Sequence, residues 1–374
     1  MTTSKRKIVF LTGTRADFGK IKSLLAVLLK DDRFEVFLFV TGMHLMHEYG
    51  YTLIEIERCG YPNIHTFENH THETTMELTL AKTITGFSEY IKTVNPDLIV
   101  VHGDRVEALA GAITGSLNNY LVAHIEGGEI SGTVDELIRH AVTKMSHLHF
   151  VANEAAKRRL LQLGELEETI EIIGSPDIDV MFSSELPALE EVKTYYNIPF
   201  DDYAVCMFHP VTTEVATLAV QVENLCKALE DSHKNYVVIY PNNDLGSSII
   251  IKAYTALKTK SRFCIYPSLR FEYFLVLLQH ASFIIGNSSA GVREAPYYGI
   301  PTINVGSRQE NRVASQEICN VSYDYNAILH AITHIAKKVS TVDFGKGDSA
   351  QQFYKVLQSE HIFNINHQKQ FRDL

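Results

Sequence analysis

The chain has 374 residues, of which 45% are hydrophobic and 21% are charged, and it contains only ten prolines. This length exceeds one ordinary hydrophobic core and predicts two domains, while the composition excludes a mainly disordered or collagen-like protein. The formal net charge of −10 argues against nucleic acid or an anionic membrane as a partner, so any phosphate site has to be a local basic pocket.

Short β-rich segments alternate with helix-length amphipathic segments along the chain. In the first half the predicted strands are "KIVFLTG", "EVFLFVTG", "DLIVVHGD", "LVAHIEGG", "HLHFVA" and "IEIIGSP". In the second half they are "YAVCMFHP", "YVVIYPNND", "RFCIYPSL", "SFIIGNSS" and "PTINVG". Continuous apolar strands separated by helices indicate parallel sheets that are covered on both faces. The predicted fold class is therefore α/β, with two Rossmann-like, doubly wound domains.

The alternation is interrupted once, by the polar and proline-containing segment "SPDIDVMFSSELPALEEVKTYYNIPFDDY". Such a change of composition is typical of a domain junction. We expect an N-terminal domain over residues 1–185 and a C-terminal domain over residues 186–340. Residues 341–374 are expected to form a terminal helix and a frayed end that packs back on the first domain.

The cysteines and the apolar segments bear on the location of the protein. Five cysteines without a CxxC pair indicate free thiols in a reducing compartment. The apolar run near the N-terminus is too short for a signal-peptide core, and the longest apolar stretch, "FLVLLQHASFIIG", is interrupted by Gln279 and His280. We expect a soluble, cytoplasmic protein.

Carboxylates follow two predicted strands of the first half. Asp104 ends "LIVVHGD" and Glu126 ends the strand of "LVAHIEGG", and Asp135 follows shortly after. Ligands of open α/β sheets bind beyond the carboxyl ends of the strands, where acids flanked by glycine can move protons. Asp135 has a structural alternative, because "TVDE" is a capping box with Thr133 at the N-cap and Glu136 three residues later.

Several familiar catalytic patterns are incomplete in this sequence. The H-x-E of "HIEGGE" lacks the P-C-x-x-C of zinc deaminases, and no HExxH is present. "GNSSAG" misses the serine hydrolase elbow by one residue, and neither a P-loop nor a GxGxxG after the first strand occurs. We therefore expect no metal and no cofactor.

The second half contains a candidate phosphate site at "SFIIGNSSAGVREAP". We expect a strand that turns at Asn287, Ser288 and Ser289 into a helix beginning near Ala290, whose free N–H groups bind an anion. The alternative is an ordinary serine N-cap. Glu294, one turn into that helix, is suited to accept hydrogen bonds from ribose hydroxyls.

Two arginines and one histidine are candidates to complete the site. Arg15 in "TGTRADFG" and Arg308 in "VGSRQENR" could bind phosphate oxygens in two-point geometry, although a solvated surface position is the default for each arginine taken singly. His209 ends the strand of "CMFHP" and is expected to face the acids across a cleft, with a core or capping histidine as the alternative.

These segments together resemble one enzyme family. The blocks "TGTRADFGK", "TGMHL", "VHGDRVEALA", "HIEGGEISGTVDELIRHAVTKMSHLHF", "FHPVTTE", "GNSSAGVREAP" and "GSRQ" are similar to the UDP-N-acetylglucosamine 2-epimerase family, in particular to its hydrolysing branch that begins sialic acid synthesis. The likeness runs from about residue 7 to about residue 340. The non-hydrolysing branch typically has "H-R-R-E-N" after its cleft histidine, whereas this chain has "HPVTTE".

The resemblance implies a glycosyltransferase-B-like fold, with UDP held mainly by the C-terminal domain and the sugar in the cleft. It implies catalytic roles for Asp104, Glu126, Asp135 and His209. It also implies substrate-binding roles for Arg15, His44, Arg105, Asn287, Ser288, Ser289, Gly291, Glu294 and Arg308. The implied reaction is elimination of UDP to 2-acetamidoglucal followed by hydration to N-acetylmannosamine, in a homodimer or a dimer of dimers.

Three alternatives stay open. The enzyme could carry out the same reaction on UDP-2,4-diacetamido-2,4,6-trideoxy-glucose, the route to legionaminic acid. The sequence alone does not identify the residues of the pocket wall that contact C4 and C6 of the sugar. A glycosyltransferase could share the fold, but it would rarely need three clustered acids. A non-catalytic UDP-sugar sensor would keep Ser288, Ser289 and Glu294 but would have no use for Asp104 and Glu126.

Overall fold

A computed structural model describes residues 5–70, 75–131, 133–309, 318–335 and 344–372. The chain forms two compact units. The first unit comprises Met1–Glu129, Asp135–Ser183 and Asp343–Leu374, and the second comprises Ile130–Val134 and Ser184–Val342. The predicted boundary near residue 340 lies outside the described residues, as does the start of the chain at residues 1–4.

The strands of the first unit, numbered in chain order, are β1 (Arg6–Thr12), β2 (Phe34–Val40), β3 (Ile64–Thr66), β4 (Leu98–His102), β5 (Val122–Ile125), β6 (Leu148–Val151) and β7 (Ile170–Ile172). The helices between and after them are α1 (Arg15–Leu28), α2 (Leu53–Arg58), α3 (Met76–Val94), α4 (Val106–Leu117), α5 (Val134–Met145), α6 (Glu154–Gln162) and α7 (Pro176–Met181). In the described part of this unit the strands pair in the order β3-β2-β1-β4-β5-β6-β7, and all pairs are parallel.

The second unit repeats this plan. Its helices are α8 (Leu189–Tyr196), α9 (Leu218–Asp231), α10 (Ser247–Leu257), α11 (Phe271–Gln279), α12 (Glu294–Tyr297) and α13 (Tyr325–Thr333). Its strands are β8 (Ala204–Met207), β9 (Tyr236–Ile239), β10 (Phe263–Tyr266), β11 (Ile284–Gly286), β12 (Thr302–Val305) and β13 (Ile318–Val321). Within the described residues they form a parallel sheet in the order β10-β9-β8-β11-β12-β13. The prediction of two doubly wound α/β sheets is confirmed.

The strand order locates a switch point in each sheet, where the chain reverses its direction of winding. In the first unit the switch point lies between β1 and β4, and in the second it lies between β8 and β11. Loops diverge at such a point and open a crevice beyond the carboxyl ends of the strands. The central strands can be almost wholly apolar because both faces are covered, and every residue of β4 is buried.

The last helix of the chain, α14 (Ser349–Leu357), belongs to the first unit. Phe353 is fully buried and packs edge-on against Phe10 of β1 and Phe150 of β6, with ring centroids 6.4 and 4.8 Å apart. The carboxylate of Asp179 accepts hydrogen bonds from the backbone N–H groups of Ser349 and Ala350, at 2.8 and 2.7 Å. The helix therefore completes the core of this unit. Among the described residues, no helix has the length and apolar character needed to cross a membrane.

Residues near the end of the chain also bind a buried acid, Glu165. Its carboxylate accepts hydrogen bonds from Lys144 at 2.7 Å, Lys369 at 2.5 Å and His149 at 3.0 Å. Burial alone would raise the pKa of Glu165, but the hydrogen bond from His149 and the two ammonium groups outweigh it and lower the pKa to about 2. The folded state therefore favours the ionised form.

We expect Glu165→Gln to lower the free energy of unfolding at pH 7 by about 3 kcal/mol, because Lys144 and Lys369 lose their anionic partner. A depressed carboxyl pKa stabilises the fold above the ordinary value of 4.5, and this contribution is lost as the pH falls from about 4.5 towards 2. Urea unfolding of both proteins between pH 3 and pH 7 measures the effect. A difference that does not shrink towards pH 3 would contradict this origin of the stability.

Candidate active site

Asp104 and Glu126 lie at the carboxyl ends of the adjacent strands β4 and β5 and are joined by Arg139 of α5. The Arg139 guanidinium donates from Nη2 to the Asp104 carboxylate and from Nη1 to the backbone carbonyl of Glu126, the latter at 2.6 Å. Arg139 is only 2% exposed. The two predicted acids thus lie at the carboxyl ends of neighbouring strands, and Arg139, for which the sequence gives no signal, links the side chain of Asp104 to the backbone of Glu126.

Glu126 combines burial with an unusual backbone conformation. Its φ is +64°, in the left-handed region, which costs a non-glycine residue about 1–2 kcal/mol. The side chain is buried, and the Ser175 hydroxyl donates a hydrogen bond to Oε1. Oε2 lies 3.3 Å from Nε2 of His102 and 3.6 Å from Nζ of Lys20. Strained backbone and a crowded polar environment at one carboxylate are typical of a functional position.

Lys20 extends this polar group to a further acid. Its ammonium nitrogen lies 3.3 Å from the carboxylate of Asp177, which is fully buried at the start of α7. Lys20, Ser175 and Asp177 were not predicted as site residues. Of these three residues, only Lys20 could have been found from the sequence, because "RADFGK" places it on the first helix after β1.

Asp135 lies in the first turn of α5 and is half-buried. It precedes Arg139 by four residues, so the two side chains project from the same face of the helix. This shared face associates Asp135 with the arginine that binds Asp104. Its catalytic role stays a prediction.

The three other predicted residues of the first unit have partners within the unit. Arg15 forms an ion pair with Glu55 of α2, and Nε of Arg105 lies 4.0 Å from the carboxylate of Glu107. His44 is fully buried, and its ring nitrogens lie 3.0 Å from the Thr12 hydroxyl and 2.6 Å from the Thr52 hydroxyl. Burial lowers the pKa of His44 to about 3, so the ring stays neutral. Ligand contacts of these residues stay predictions.

In the second unit His209 and Asn287 form two hydrogen bonds with each other across the switch point. His209 follows β8, and its backbone N–H donates to Oδ1 of Asn287 at 2.6 Å, while Nδ2 of Asn287 donates to the His209 carbonyl at 2.8 Å. The Nδ1 atom of His209 accepts a hydrogen bond from the backbone N–H of Asn242 at 3.1 Å. A neutral ring held in this way carries its proton on Nε2, which makes that nitrogen a donor.

The backbone carbonyl of Asn287 is hydrogen-bonded to two more side chains. It accepts hydrogen bonds from Nη1 of Arg308 at 3.2 Å and from Nε2 of Gln309 at 2.9 Å. Asn287 is fully buried. Hydrogen bonds therefore connect four segments of the unit around the loop after β11, at His209, Asn242, Asn287 and Arg308. Arg308 and His209 belong to the same hydrogen-bonded network.

The prediction of a helix that begins near Ala290 is wrong in its start. Ser289–Gly291 form a 3-10 turn, and α12 begins only at Glu294, which is its first residue rather than a residue one turn into it. Pro296 has no N–H to continue an α-helical ladder from Val292, so the segment breaks into two short pieces. The Ser288 hydroxyl still accepts a hydrogen bond from the Ala290 N–H at 3.3 Å, and Glu294 is buried.

The two glycines of this turn serve close packing. A Cβ at Gly291 would lie 2.7 Å from Cγ2 of Thr302, and the Thr302 hydroxyl donates to the Gly291 carbonyl at 2.6 Å. Gly286, the last residue of β11, has φ +133°, and a Cβ there would lie 1.9 Å from the Met207 carbonyl oxygen. Only glycine fits against β8 at this point. Within the described ranges, no group of three or more His, Cys, Asp or Glu side chains could hold a metal ion.

Two parallel sheets with the same winding define the class of protein, a two-domain α/β protein of the glycosyltransferase-B-like type. A crystal structure of Methanocaldococcus jannaschii UDP-GlcNAc 2-epimerase, in complex with UDP-GlcNAc and UDP, has this fold. It matches with a TM-score of 0.81 and 23% sequence identity over 94% of this chain and 99% of that chain.

Sequence comparison gives the family. The model of the UDP-N-acetylglucosamine 2-epimerase family matches residues 27–358, and the chain belongs to this family. It is 48% identical to the UDP-N-acetylglucosamine 2-epimerase of Neisseria meningitidis serogroup B, over 99% of both chains. It is 34% identical to a hydrolysing UDP-N,N'-diacetylbacillosamine 2-epimerase of Legionella pneumophila, over 95% of this chain and 96% of that protein. Polysialic acid biosynthesis protein P7 of Escherichia coli is 33% identical, over 87% of this chain and 85% of that protein.

Proposed function

We propose that this protein is a hydrolysing 2-epimerase that converts UDP-N-acetylglucosamine and water into N-acetylmannosamine and UDP, the first step of sialic acid synthesis. The observation that carries the proposal is the pair of acids Asp104 and Glu126, held at one sheet edge by Arg139. Epimerisation at C2 needs one group to remove a proton from one face of the sugar and another to deliver a proton to the opposite face. Two carboxylates in one site supply both groups.

In this mechanism one acid of the first unit removes the C2 proton while UDP leaves from C1, which gives 2-acetamidoglucal. The second acid then delivers a proton to the opposite face of C2 as water adds to C1, and the proton that this water loses passes to solvent directly or through Asp135. We assign the C2 chemistry to Asp104 and Glu126, and we assign Asp135 to positioning of the sugar or activation of water. The acid that removes the C2 proton must begin ionised, and a neighbouring cation favours that state, whether it is Arg139 at Asp104 or Lys20 at Glu126.

Residues of the second unit are proposed to bind the nucleotide. Ser288, Ser289 and Arg308 would bind the diphosphate, and Glu294 would accept hydrogen bonds from the ribose hydroxyls. His209, with its proton on Nε2, would donate a hydrogen bond to the leaving phosphate or to the sugar and so stabilise the developing negative charge. The connection of His209 to Arg308 through Asn287 supports a joint role.

Two observations support hydrolysis rather than return of a UDP-sugar. After the cleft histidine this chain has "HPVTTE", whereas members of the non-hydrolysing branch typically have "H-R-R-E-N" there. A relative that is 34% identical over nearly its whole length is a hydrolysing enzyme. The same relative favours the second candidate substrate, the UDP-diacetamido-trideoxy sugar, whereas the 48% identical relative favours UDP-N-acetylglucosamine.

Proton NMR of the protein with UDP-N-acetylglucosamine in deuterated water tests the proposal. We expect free N-acetylmannosamine with deuterium at C2, together with UDP. Recovery of UDP-N-acetylmannosamine would place the protein in the non-hydrolysing branch. An intact substrate, combined with turnover of the diacetamido-trideoxy sugar, would replace the sialic acid route by the legionaminic acid route. Intact substrates in both assays, with UDP still bound, would favour the sensor.

A further inference from the structure

His102 is the last residue of β4 and lies beside Glu126. It is paired in register with Ile125 of β5, so Glu126, the next residue, emerges at the same sheet edge. The Nε2 atom of His102 lies 3.3 Å from Oε2 of Glu126. The imidazole is 8% exposed, and its Nε2 atom is itself buried and forms no hydrogen bond of good geometry among the described residues. Neither the predicted catalytic set nor the proposed mechanism uses this ring.

Three titratable groups interact electrostatically with His102, namely Asp17 of α1, His124 of β5 and Glu126, which follows β5. Lys20 of α1 lies beside Glu126, and Asp177 of α7 lies beside Lys20. Burial raises the pKa of Asp17, and hydrogen bonds from Thr12 and Gly13 and the charge of His102 oppose this rise. The ring therefore interacts with two carboxylates, Asp17 and Glu126, and the Lys20 ammonium lies 3.6 Å from the same Glu126 oxygen that approaches His102.

The reaction leaves a proton imbalance behind. Inversion at C2 with two acids ends with the base protonated and the acid deprotonated, because the proton removed from one face is not the proton delivered to the other. The water that adds to C1 also loses a proton, which passes to solvent directly or through Asp135. The chemistry cannot repeat until both carboxyl groups regain their starting state. This reasoning rests on the proposed function, and it holds whichever face Glu126 serves.

We propose that His102 restores the protonation state of Glu126 after each turnover. When Glu126 has gained a proton, its Oε2–H bond breaks, Nε2 of His102 takes the proton, and the imidazolium releases a proton to water. When Glu126 has given up its proton, the same transfers run in reverse. Imidazole suits this exchange because its two ring nitrogens allow it to take a proton at one position and to give one up at the other. In this role His102 acts through Glu126, as a positioning residue for the proton.

His124 provides a matched comparison on the adjacent strand. Its Nε2 lies 2.8 Å from the Gly103 carbonyl and its Nδ1 lies 3.1 Å from the Thr143 hydroxyl. Burial lowers the pKa of His124 to about 3, so the ring stays neutral and connects the β4 loop to α5. It holds backbone and hydroxyl groups and exchanges no proton with an acid. Replacement of His124 removes a structural histidine from the same sheet edge.

Rapid-quench measurement of UDP release tests the proposal, with the UDP-sugar that the wild-type enzyme turns over. We expect His102→Ala to release about one equivalent of UDP rapidly and then to turn over about 10- to 100-fold more slowly than wild type. The slow phase should accelerate in proportion to added imidazole, which can enter the space left by the ring. His124→Ala should show no burst and no acceleration by imidazole.

A linear time course for His102→Ala without any response to imidazole would overturn the proposal, as would equal rescue of both variants. If His102→Ala does not fold, His102→Gln serves instead, because it retains side-chain volume but cannot exchange protons. A burst with His102→Gln supports the exchange, and wild-type kinetics would overturn it. A wild-type protein that releases no UDP from either sugar would instead overturn the proposed function itself.

Discussion

Replacement of Glu126 by glutamine is expected to lower kcat about 1,000-fold and to change KM for the UDP-sugar only slightly. The amide keeps the size of the side chain and an oxygen that can accept the Ser175 hydrogen bond, but it can neither take nor give a proton at C2. An effect on kcat alone indicates an interaction made in the transition state. Steady-state assays of UDP release, together with deuterium incorporation at C2, measure both quantities.

Glu165→Gln is the matched control for this variant, because it also neutralises a buried glutamate of the first unit. Glu165 lies in the cluster with Lys144 and Lys369, outside the proposed catalytic group. We expect it to reduce stability while kcat stays within about twofold of wild type at temperatures where the protein is folded. Loss of kcat in both variants, or in neither, would show that Glu126 has no special part in the chemistry.

Replacement of Asp104 by asparagine is expected to lower kcat about 100- to 1,000-fold, while the Kd for UDP stays unchanged. The substitution removes the charge that pairs with Arg139, whereas the second hydrogen bond of Arg139, to the Glu126 carbonyl, remains. The acids belong to the first unit and the proposed nucleotide residues to the second, so binding and chemistry should separate. Calorimetry with UDP and single-turnover kinetics with the UDP-sugar give the two quantities.

Asp97→Asn is the control at the opposite end of the same strand. Asp97 directly precedes β4 and binds Arg6 and the backbone N–H of Lys7, at the amino end of the sheet. This partly exposed pair contributes about 1 kcal/mol or less to stability, and its loss should leave kcat unchanged. If Asp104→Asn retained wild-type kcat, Asp104 would be a structural partner of Arg139 and the assignment of the C2 chemistry would have to change.

The central strands of both sheets could be predicted from the sequence, but an edge strand of each sheet could not. Every predicted strand segment corresponds to an observed strand, from β1 to β12. The two missed strands, β3 and β13, are edge strands of three and four residues with partly exposed side chains. A short edge strand has no continuous apolar run, so its pairing depends on a neighbour that is distant in the chain.

The sequence by itself determined the α/β class, the loops that follow β4, β5, β8 and β11, and the acids and hydroxyls in them, because these features are local in the chain. Only the tertiary structure decided which side chains meet there. Arg139 reaches Asp104 from a later helix, and Ser175, Lys20 and His102 surround Glu126 from three separate elements. Such contacts depend on the strand order around each switch point, and strand order is set by packing of the whole sheet rather than by any local pattern.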